Sequence, residues 1–192
     1  MVLNWNNVAT AEEYKWKALD SYICEINDDA ENGNVNWIFS GFSIKTTYHH
    51  SGSHSFYSGS GDNLNNYMKS SSRFTISSNA VITFWVYYNI EDGYDFAYFE
   101  VSEDGISWDT LGTYTGENTT WTKLKYSLSE YSGKQIYIRF KYVTDEYYSG
   151  VLVGWFYVDD IKIETEGNVI TTGTTNSTSA DVTLYNSWEI LL

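Results

Sequence analysis

Apolar and polar residues alternate along most of the chain, from about residue 35 to residue 163. A period of two indicates β-strands, because successive side chains of a strand point to opposite faces of its sheet. Segments 80–90 and 135–142 show the pattern most clearly, since every even position in each of them is apolar or small. We predict further strands at 97–102, 122–128 and 155–163.

Clusters of Gly, Asn, Asp and Ser separate these segments, and the chain contains no proline. The pair Asp104-Gly105 predicts a tight hairpin turn, because this dipeptide readily adopts positive φ angles. Several short strands without intervening helices predict an all-β fold, built as a two-sheet antiparallel sandwich. A length of 192 residues fits one large domain of this kind.

The two ends of the chain follow different patterns. Thr10-Ala11-Glu12-Glu13 has the form of a helix capping box, which predicts a short helix near residues 10–21. Residues 171–179 are rich in Thr, Ser and Gly and predict an exposed linker, after which apolar residues return. That last piece is either an added C-terminal strand or the start of a removed segment. We therefore divide the chain into an N-terminal extension at 1–24, a sandwich at 25–164 and a C-terminal part at 165–192.

The charge of the chain limits its partners. Eleven basic and twenty-five acidic residues give a formal net charge of -14. Nucleic acids and anionic membranes would be repelled by this charge, so neither is expected as a partner. No segment approaches the roughly 18 apolar residues that span a membrane. The carboxylates need cations, either as a diffuse atmosphere or at specific Ca²⁺ sites, since Ca²⁺ prefers oxygen ligands.

The strand at 155–163 contains an acidic pair with an unusual position. The odd positions of this strand read Trp, Tyr, Asp, Ile and Ile, which places Asp159 on the apolar face and Asp160 on the outer face. A buried charge is costly unless it is compensated. Asp159 must therefore be protonated, paired with a base, hydrogen-bonded to backbone amides or bound to a metal.

A second acidic segment lies near the start of the predicted sandwich, at Asn27-Asp28-Asp29-Ala30-Glu31-Asn32-Gly33. It offers several carboxylates and backbone carbonyls to an ion, but its spacing is not that of an EF-hand loop. The alternative is an ordinary acidic turn that caps a strand. Spacing alone leaves both interpretations open.

Several fragments, in this order, resemble MAM-like jelly-roll domains. They are the acidic turn followed by Trp37, the run His50-Ser51-Gly52-Ser53-His54-Ser55, residues 98–108, Trp121 and Leu128, residues 131–140, and Gly154-Trp155-Phe156-Tyr157-Val158-Asp159-Asp160-Ile161. The resemblance covers about residues 25–164. It implies a jelly-roll sandwich like the accessory domains of immune inhibitor A peptidases and cleaved adhesins, which are secreted proteins, and like calcium-bearing carbohydrate-binding jelly rolls.

The same resemblance implies a structural Ca²⁺ ion held between the acidic turn and the last strand. Glu31 and Asp159 are its expected ligands, together with Asp28 or Asp29 and a backbone oxygen, and Asp160 is a further candidate. Domains of this group bind sugars, proteins or their own parent peptidase. The resemblance therefore implies a partner of one of these kinds, or contact with neighbouring subunits.

Aromatic residues are the candidates for ligand contact. Trp85, Tyr87 and Tyr137 point away from the apolar faces of their strands, so we predict that they lie on outer surfaces. Flat rings complement the apolar faces of pyranoses, but an outer aromatic residue can also simply cover its sheet. His49, His50 and His54 lack the spacing of a zinc site. Cys24 is the sole cysteine, which excludes an internal disulfide, and we expect it to be buried.

Nothing in the sequence indicates a catalytic apparatus, because no nucleophile elbow, helical zinc motif or phosphate-binding loop is present. We therefore expect a secreted, calcium-stabilised, non-catalytic module that binds a carbohydrate or a protein partner. The alternative hypothesis is a structural or adhesion subunit of a cell-surface assembly, in which the terminal segments 1–24 and 180–192 contact other chains or domains.

Overall fold

The structure is a computed structural model that describes residues 24–146 and 154–165 in full. It also describes the backbone of residues 2–4, 14–19, 23, 169–175, 179–181 and 189–191. The chain forms two compact units, one of Cys24–Glu164 and one of Met1–Ile23 with Thr165–Leu192.

The described strands carry numbers in chain order. They are β1 (Val2–Asn4), β2 (Tyr14–Leu19), β3 (Ile23–Asp28), β4 (Trp37–Ser40), β5 (Ser43–Lys45), β6 (Ser55–Tyr57), β7 (Asn65–Ser70), β8 (Phe74–Thr75), β9 (Ala80–Asn89), β10 (Phe96–Ser102), β11 (Asp109–Tyr114), β12 (Glu117–Ser127), β13 (Gln135–Val143), β14 (Trp155–Thr165), β15 (Val169–Thr175), β16 (Ser179–Asp181) and β17 (Glu189–Leu191). One short 3-10 helix, Ser129–Tyr131, precedes β13. The predicted strands at 80–90, 97–102, 122–128, 135–142 and 155–163 are confirmed.

The unit Cys24–Glu164 is a sandwich of two antiparallel sheets. The first sheet has the order β11–β10–β13–β7–β4, with β8 paired to β13. The second has the order β12–β9–β14–β6–β5, with β3 paired to β14. Neighbours in the sheets are often distant in sequence, as where β9 lies between β12 and β14. This is the all-β jelly-roll architecture that the sequence predicts.

The core lies between the inner faces of the two sheets. Phe84 of β9 meets Phe140 of β13 edge-to-face with ring centroids 4.8 Å apart, and it meets Phe99 of β10 at 5.0 Å. All three rings are fully buried. Burying one such side chain contributes about 1.5–3 kcal/mol, so these contacts fix the sheets against each other. The even-numbered apolar residues of β9 and β13 form the inner faces, as their alternation predicts.

The hairpin between β10 and β11 differs in length from the prediction. Val101 pairs with Asp109, so the connection spans residues 103–108 and is not a two-residue turn. Gly105 has the positive φ of 76° that the sequence indicates. Asp104 stabilises the loop, since its Oδ1 accepts the N–H groups of Ile106 and Ser107 at 2.8 Å each. A side-chain cap within the loop thus replaces the short turn.

The last strand of the sandwich changes its facing partway along. Phe156 and Val158 belong to the core, but so do Ile161 and Ile163, which have the opposite parity. The change occurs near Asp160, whose φ of 47° lies in the left-handed region of backbone conformation. Asp159 therefore shares its facing with Trp155 and Tyr157. It is fully buried, as the sequence predicts, but it lies beneath residues 50 and 51 and not among the core residues between the sheets.

The unit formed by the chain ends is also built from strands. β15 and β17 pair with β2, and β1 pairs with β16. The predicted helix near residues 10–21 is wrong at residues 14–19, while residues 10–13 and 20–21 lie outside the described residues. Tyr14-Lys15-Trp16-Lys17 alternates with the period of a strand, and pairing on both edges outweighs the capping-box signal.

The predicted linker at 171–179 is likewise wrong for residues 171–175, which belong to β15, and for Ser179, which begins β16. Threonine is β-branched and favours extended backbone, so a Thr-rich run forms a strand when a partner strand is available. The added C-terminal strand, one of the two alternatives for the last piece, is present as β17. Cys24 is exposed, contrary to the expected burial. Within the described residues, no helix has the length and apolar character needed to cross a membrane.

Candidate functional site

The outer side of the second sheet carries a cluster of aromatic rings, which we call the outer aromatic face. It contains residues from four strands and from loop 46–54, which joins β5 to β6. Its members are Tyr48, His50, Tyr57, Trp85, Tyr87, Trp121, Trp155 and Tyr157. Burial of the core does not require these rings, because Phe84 and Val86 already fill the inner side of β9.

The rings stack on one another across neighbouring strands. Tyr87 of β9 lies between Trp155 of β14 at 4.9 Å and Trp121 of β12 at 5.5 Å, with interplanar angles of 25° and 30°. Tyr48 adds a further ring from the loop, stacked on Trp155 at 5.5 Å and 20°. Tyr48 is 41% exposed. The result is a rigid apolar surface with one accessible ring supplied by the loop.

The second stacked pair on this face joins His50 to Trp85. Their ring centroids are 3.6 Å apart and the planes differ by 15°. One face of the Trp85 indole is therefore covered by the protein itself. Of the predicted contact residues, Trp85 and Tyr87 are brought together on one surface, but both are partly covered by loop 46–54 or by neighbouring rings.

The outer side of the first sheet has a different character. Arg139 forms an ion pair with Glu100 at 2.5 Å and lies 4.0 Å above the Trp108 ring. Tyr137, the third predicted contact residue, lies on this sheet with the cations of Lys69 and Arg73 about its ring at 5.0 and 5.2 Å. Tyr137 is thus separated from Trp85 and Tyr87 by the thickness of the sandwich.

Asp159 holds loop 46–54 in place. The Asp159 Oδ2 accepts the N–H of His50 at 2.7 Å and that of Ser51 at 3.3 Å, and its Oδ1 accepts the N–H of Asp160 at 2.8 Å. The side chain is 0% exposed. Burial raises the pKa of Asp159 to about 6, although these amide hydrogen bonds oppose the shift. Among the alternatives that the sequence left open, amide hydrogen bonding is the one observed.

Asp160 and Glu31 secure the rest of the same loop. Asp160 contacts His50 Nδ1 at 2.5 Å and accepts the Ser51 hydroxyl at 2.6 Å. Glu31 Oε1 accepts the N–H groups of Ser53 and His54 at 2.6 and 2.7 Å. The amide of Ser53, followed by the imidazole of His54, lowers the pKa of Glu31 to about 2. Three carboxylates, two adjacent in β14 and one in the acidic turn, therefore converge on one loop.

The remaining predicted metal ligands serve the acidic turn itself. Asp28 is buried, its Oδ1 accepts the N–H of Ala30 at 3.0 Å, and its Oδ2 accepts the Trp37 indole N–H at 2.9 Å. Asp29 accepts the N–H of Glu31 at 3.2 Å. These contacts describe a turn that caps β3, which is the structural alternative that the sequence left open.

The donor chemistry around loop 46–54 suits a hard cation. Glu31 and Asp159 contact the same loop, whose hydroxyls and backbone carbonyls are further oxygen donors of the kind that Ca²⁺ prefers. Within the part of the chain that the structure describes, no three acidic or imidazole side chains gather there with ligand atoms inside 4.8 Å of one another. An ion at this place would therefore depend on backbone oxygens, and the ligand set stays a prediction.

Sequence reasoning missed several members of the outer aromatic face. Strand parity groups Trp155 and Tyr157 with the core residues Ile161 and Ile163, because the change of facing at Asp160 is not visible in an alternation pattern. Tyr48 and His50 reach the face from a loop whose path depends on carboxylates more than 100 residues away in the case of Asp159. A useful signal was present in Phe156 and Val158, whose apolar character marks the other side of β14 as the inner one.

The fold and this face define a jelly-roll module of the type found as an accessory domain. The family model of the immune inhibitor A-like MAM domain matches residues 17–186 of this chain. The chain therefore belongs to the immune inhibitor A-like MAM family, as its sequence fragments indicated.

Relatives in this group are peptidases. The chain is 28% identical over 128 residues to the pre-pro-metalloprotease PrtV of Vibrio cholerae, which covers 61% of this chain and 14% of that protein. It is 30% identical over 138 residues to immune inhibitor A of Bacillus thuringiensis subsp. alesti, covering 66% and 19% respectively. The chain thus spans less than a fifth of the length of either relative.

Solved structures with the same fold include carbohydrate-binding modules and an adhesin domain. TmCBM61, solved in complex with β-1,4-galactotriose, has a TM-score of 0.51 and 16% identity, covering 72% of this chain and 95% of its own. The C-terminal family 22 module of Clostridium thermocellum Xyn10B has a TM-score of 0.51 and 15% identity, covering 77% and 97%. The K2 cleaved adhesin domain of Lys-gingipain has a TM-score of 0.52 and 17% identity, covering 74% and 98%. These likenesses show the fold.

Proposed function

We propose that this protein is a non-catalytic module that binds a carbohydrate on its outer aromatic face. The observation that carries the proposal is the stacked series Trp121, Tyr87 and Trp155, capped by the exposed ring of Tyr48. Clustered apolar rings on the outer side of a sheet contribute nothing to the core and typify an interaction surface. Ligand sites combine such rings with a few polar groups.

The surroundings of the rings supply those polar groups. His49 and His50 are exposed on loop 46–54, and Lys123 is exposed beside Trp85 in the β12–β9 register. A pyranose would lie with its apolar face on Tyr48 or Trp121 and with its hydroxyls toward these side chains. The first sheet offers no comparable surface, because ion pairs and cation–π contacts occupy its outer side.

The fold relatives support a sugar as the ligand class. Two structures with this fold are carbohydrate-binding modules, TmCBM61 in complex with β-1,4-galactotriose and the family 22 module of Xyn10B. Their identity to this chain is too low to transfer a binding residue. The support therefore rests on the shared fold together with the aromatic face of this chain.

The module is also proposed to bind a structural Ca²⁺ ion beside loop 46–54. Glu31 and Asp159 would hold the ion with backbone oxygens of the loop, and Asp28, Asp29 and Asp160 are the neighbouring acidic groups. Support comes from the burial of Asp159 and from the convergence of both carboxylates on one loop. When bound, the ion would place a positive charge beside the buried Asp159 carboxylate, whose negative charge is compensated by backbone N–H groups.

We further propose that the module works outside the cell as an accessory part of a peptidase. The named relatives are peptidases of which a segment like this one is only a small part. A sugar-binding accessory module would keep an attached enzyme near a glycosylated substrate or surface. The acidic chain, with its net charge of -14, would add no affinity for nucleic acid.

Glycan-array screening of the full chain, followed by isothermal titration calorimetry with a soluble oligosaccharide from the best array signal, tests the proposal. Tyr48→Ala and Trp121→Ala should each weaken binding by at least about 10-fold, as expected when a stacking contact of 1.4 kcal/mol or more is lost. Tyr137→Ala and Trp108→Ala are the matched controls on the first sheet and should leave the affinity unchanged.

Two outcomes contradict the proposal. One is a folded protein that binds no glycan on the array while binding a protein partner through the outer aromatic face. The other is a chain that self-associates, with sedimentation that depends on concentration and loses that dependence when residues 180–192 are removed. The second outcome would favour the structural or adhesion role.

A further inference from the structure

A second acidic cluster lies at the end of the sandwich where β9 connects to β10 and where β13 ends. It consists of Glu91, Asp95 and Asp145. One ligand atom from each of these residues lies within 4.8 Å of the other two. Asp95 is buried at 7% exposure, and Glu91 and Asp145 are half-buried. Within the described residues, this is the group of acidic side chains with metal-ligand spacing.

The cluster is held by backbone contacts. The N–H of Asp95 donates to the Glu91 carbonyl at 3.1 Å, which closes the loop between β9 and β10. The N–H of Asp145 donates to Asp95 Oδ1 at 3.0 Å, and the carbonyl of Asp145 accepts the N–H of Asn63 at 2.7 Å. Three separate connections of the fold are therefore fixed around one group of carboxylates.

The negative charges in this cluster repel one another. Burial raises the pKa of Asp95, and the carboxylates of Asp145, Glu91 and Asp62 raise it further, while the N–H of Asp145 lowers it. A carboxylate buried beside other acids, as Asp95 is, is unfavourable in its ionised form unless hydrogen bonds, a proton or a cation compensate its charge. The electrostatics alone leave these possibilities open.

A buried hydroxyl supplies an independent observation. Tyr142 is 0% exposed, and within the part of the chain that the structure describes its Oη makes no hydrogen bond. Such a group is costly, because a buried polar atom without a partner loses its hydration. The Oη lies beside Gly154. A β-carbon at Gly154 would lie 2.5 Å from the Tyr142 Oη, 3.4 Å from the Asn89 carbonyl oxygen and 3.6 Å from Asp95 Oδ2. The missing β-carbon of Gly154 thus lets the hydroxyl lie close to the glycine, at a place that the Asn89 carbonyl and the Asp95 carboxylate also approach.

We propose that Glu91, Asp95 and Asp145 bind a hard divalent cation, with Ca²⁺ as the expected ion, at a site separate from loop 46–54. The donors are all oxygens, which Ca²⁺ prefers, and the ligands come from irregular loops that permit its flexible coordination. The Asn89 carbonyl, which lies beside Gly154 as Asp95 does, would be a further oxygen donor. A water molecule on the ion would provide the partner that the Tyr142 hydroxyl lacks. Neither the family resemblance nor the proposed sugar site is needed for this inference.

Calorimetric titration of the metal-stripped full chain with CaCl₂ tests the site. Asp95→Asn and Glu91→Gln should each weaken one calcium-binding event by on the order of 10-fold, since ligand charge sets the affinity of such sites. Asp92→Asn is the matched control, because Asp92 is an exposed acid of the same loop outside the cluster. It should bind calcium as the unmodified protein does. Glu31→Gln should leave this binding event in place, which separates it from the ion proposed at loop 46–54.

Tyr142→Phe gives a second measurement that does not depend on the acidic residues. The variant keeps the buried ring and removes only the hydroxyl, so the metal-free protein should melt at the same temperature or higher, while its calcium affinity falls. If Asp95→Asn does not fold, the half-buried Glu91→Gln variant decides the question. The inference is overturned if folded Glu91→Gln or Asp95→Asn binds calcium with unchanged affinity and stoichiometry. It is equally overturned if the unmodified chain binds none up to about 10 mM, ten times the weak end of extracellular sites.

Discussion

The carboxylate of Asp159 accepts the backbone N–H of His50 at 2.7 Å, although the two residues are 109 positions apart. This contact ties the last strand of the sandwich to loop 46–54, and the same loop places the His50 ring on Trp85 and the Tyr48 ring on Trp155. Glu31, Asp159 and Asp160, predicted as metal ligands, therefore belong to one assembly with Trp85 and Tyr87, predicted as ligand contacts. The carboxylates position the loop, and the loop completes the outer aromatic face.

Replacing Asp159 with alanine should destabilise the fold. The N–H groups of His50, Ser51 and Asp160 would lose their acceptor at a buried place, which costs about 1–3 kcal/mol of unfolding free energy. Urea denaturation followed by circular dichroism measures the change. Asp29→Ala removes a carboxylate with one local amide contact and should change stability by only about 0.5 kcal/mol. Equal effects of the two substitutions would contradict the role given to Asp159.

Calcium should raise the melting temperature through the site at loop 46–54. An ion that binds only the folded protein stabilises it by mass action. The comparison is best made in the Asp95→Asn background, so that the other acidic cluster does not contribute. There, EDTA should lower the melting temperature, and adding Glu31→Gln should abolish the response. An unchanged response after that second substitution would show that the ion is held elsewhere.

Asp104 should give the β10–β11 hairpin an acid-dependent stability. Amide hydrogen bonds from Ile106 and Ser107, with the Ser102 hydroxyl, lower the pKa of Asp104 to about 2. A lowered pKa in the folded protein means that the ionised carboxylate stabilises the hairpin above the unfolded pKa of about 3.9. This contribution is lost as the pH falls through about 4 towards 2. Carbon-detected NMR titration of the Asp104 carboxyl, with Asp104→Asn as reference, measures it, and a midpoint near 4 would contradict the prediction.

The fold was largely predictable because strand existence depends on local alternation. Segments 80–90 and 135–142 each have one apolar face, and only one orientation of the strand buries that face in the core. The facing of Asp159 was not predictable, because a single left-handed residue, Asp160, reverses the alternation. The strand at 14–19 and the Thr-rich strand at 169–175 depend on pairing with each other, which a local pattern does not contain.

The candidate site was predictable only in part for a similar reason. Trp85 and Tyr87 follow from strand parity, which is local. Tyr48 and Trp121 join them through the path of loop 46–54 and through the bulged register between β12 and β9. Tyr137 satisfied the same parity rule but belongs to the other sheet. Parity indicates that a residue faces outward and does not indicate on which side of a sandwich it lies.

The aromatic rings of the core and of the outer face should differ in their contribution to stability. Phe84→Ala leaves a cavity between the two sheets and should cost about 3–5 kcal/mol of unfolding free energy. Tyr48→Ala removes a ring that is 41% exposed and should cost about 1 kcal/mol, near the value of one aromatic pair. Chemical denaturation of both variants makes the comparison. A Tyr48→Ala variant as unstable as Phe84→Ala would mean that the outer ring is structural.

The most direct test of the account is a two-dimensional ¹H–¹⁵N spectrum of the indole N–H groups during titration with the oligosaccharide chosen from the array. We predict that the signals of Trp85, Trp121 and Trp155 shift with a common saturation curve. Those of Trp37 in the core and Trp108 on the first sheet should stay in place. Saturable shifts of Trp108 alone, or saturation without any change at Trp85, Trp121 and Trp155, would contradict carbohydrate binding on the outer aromatic face.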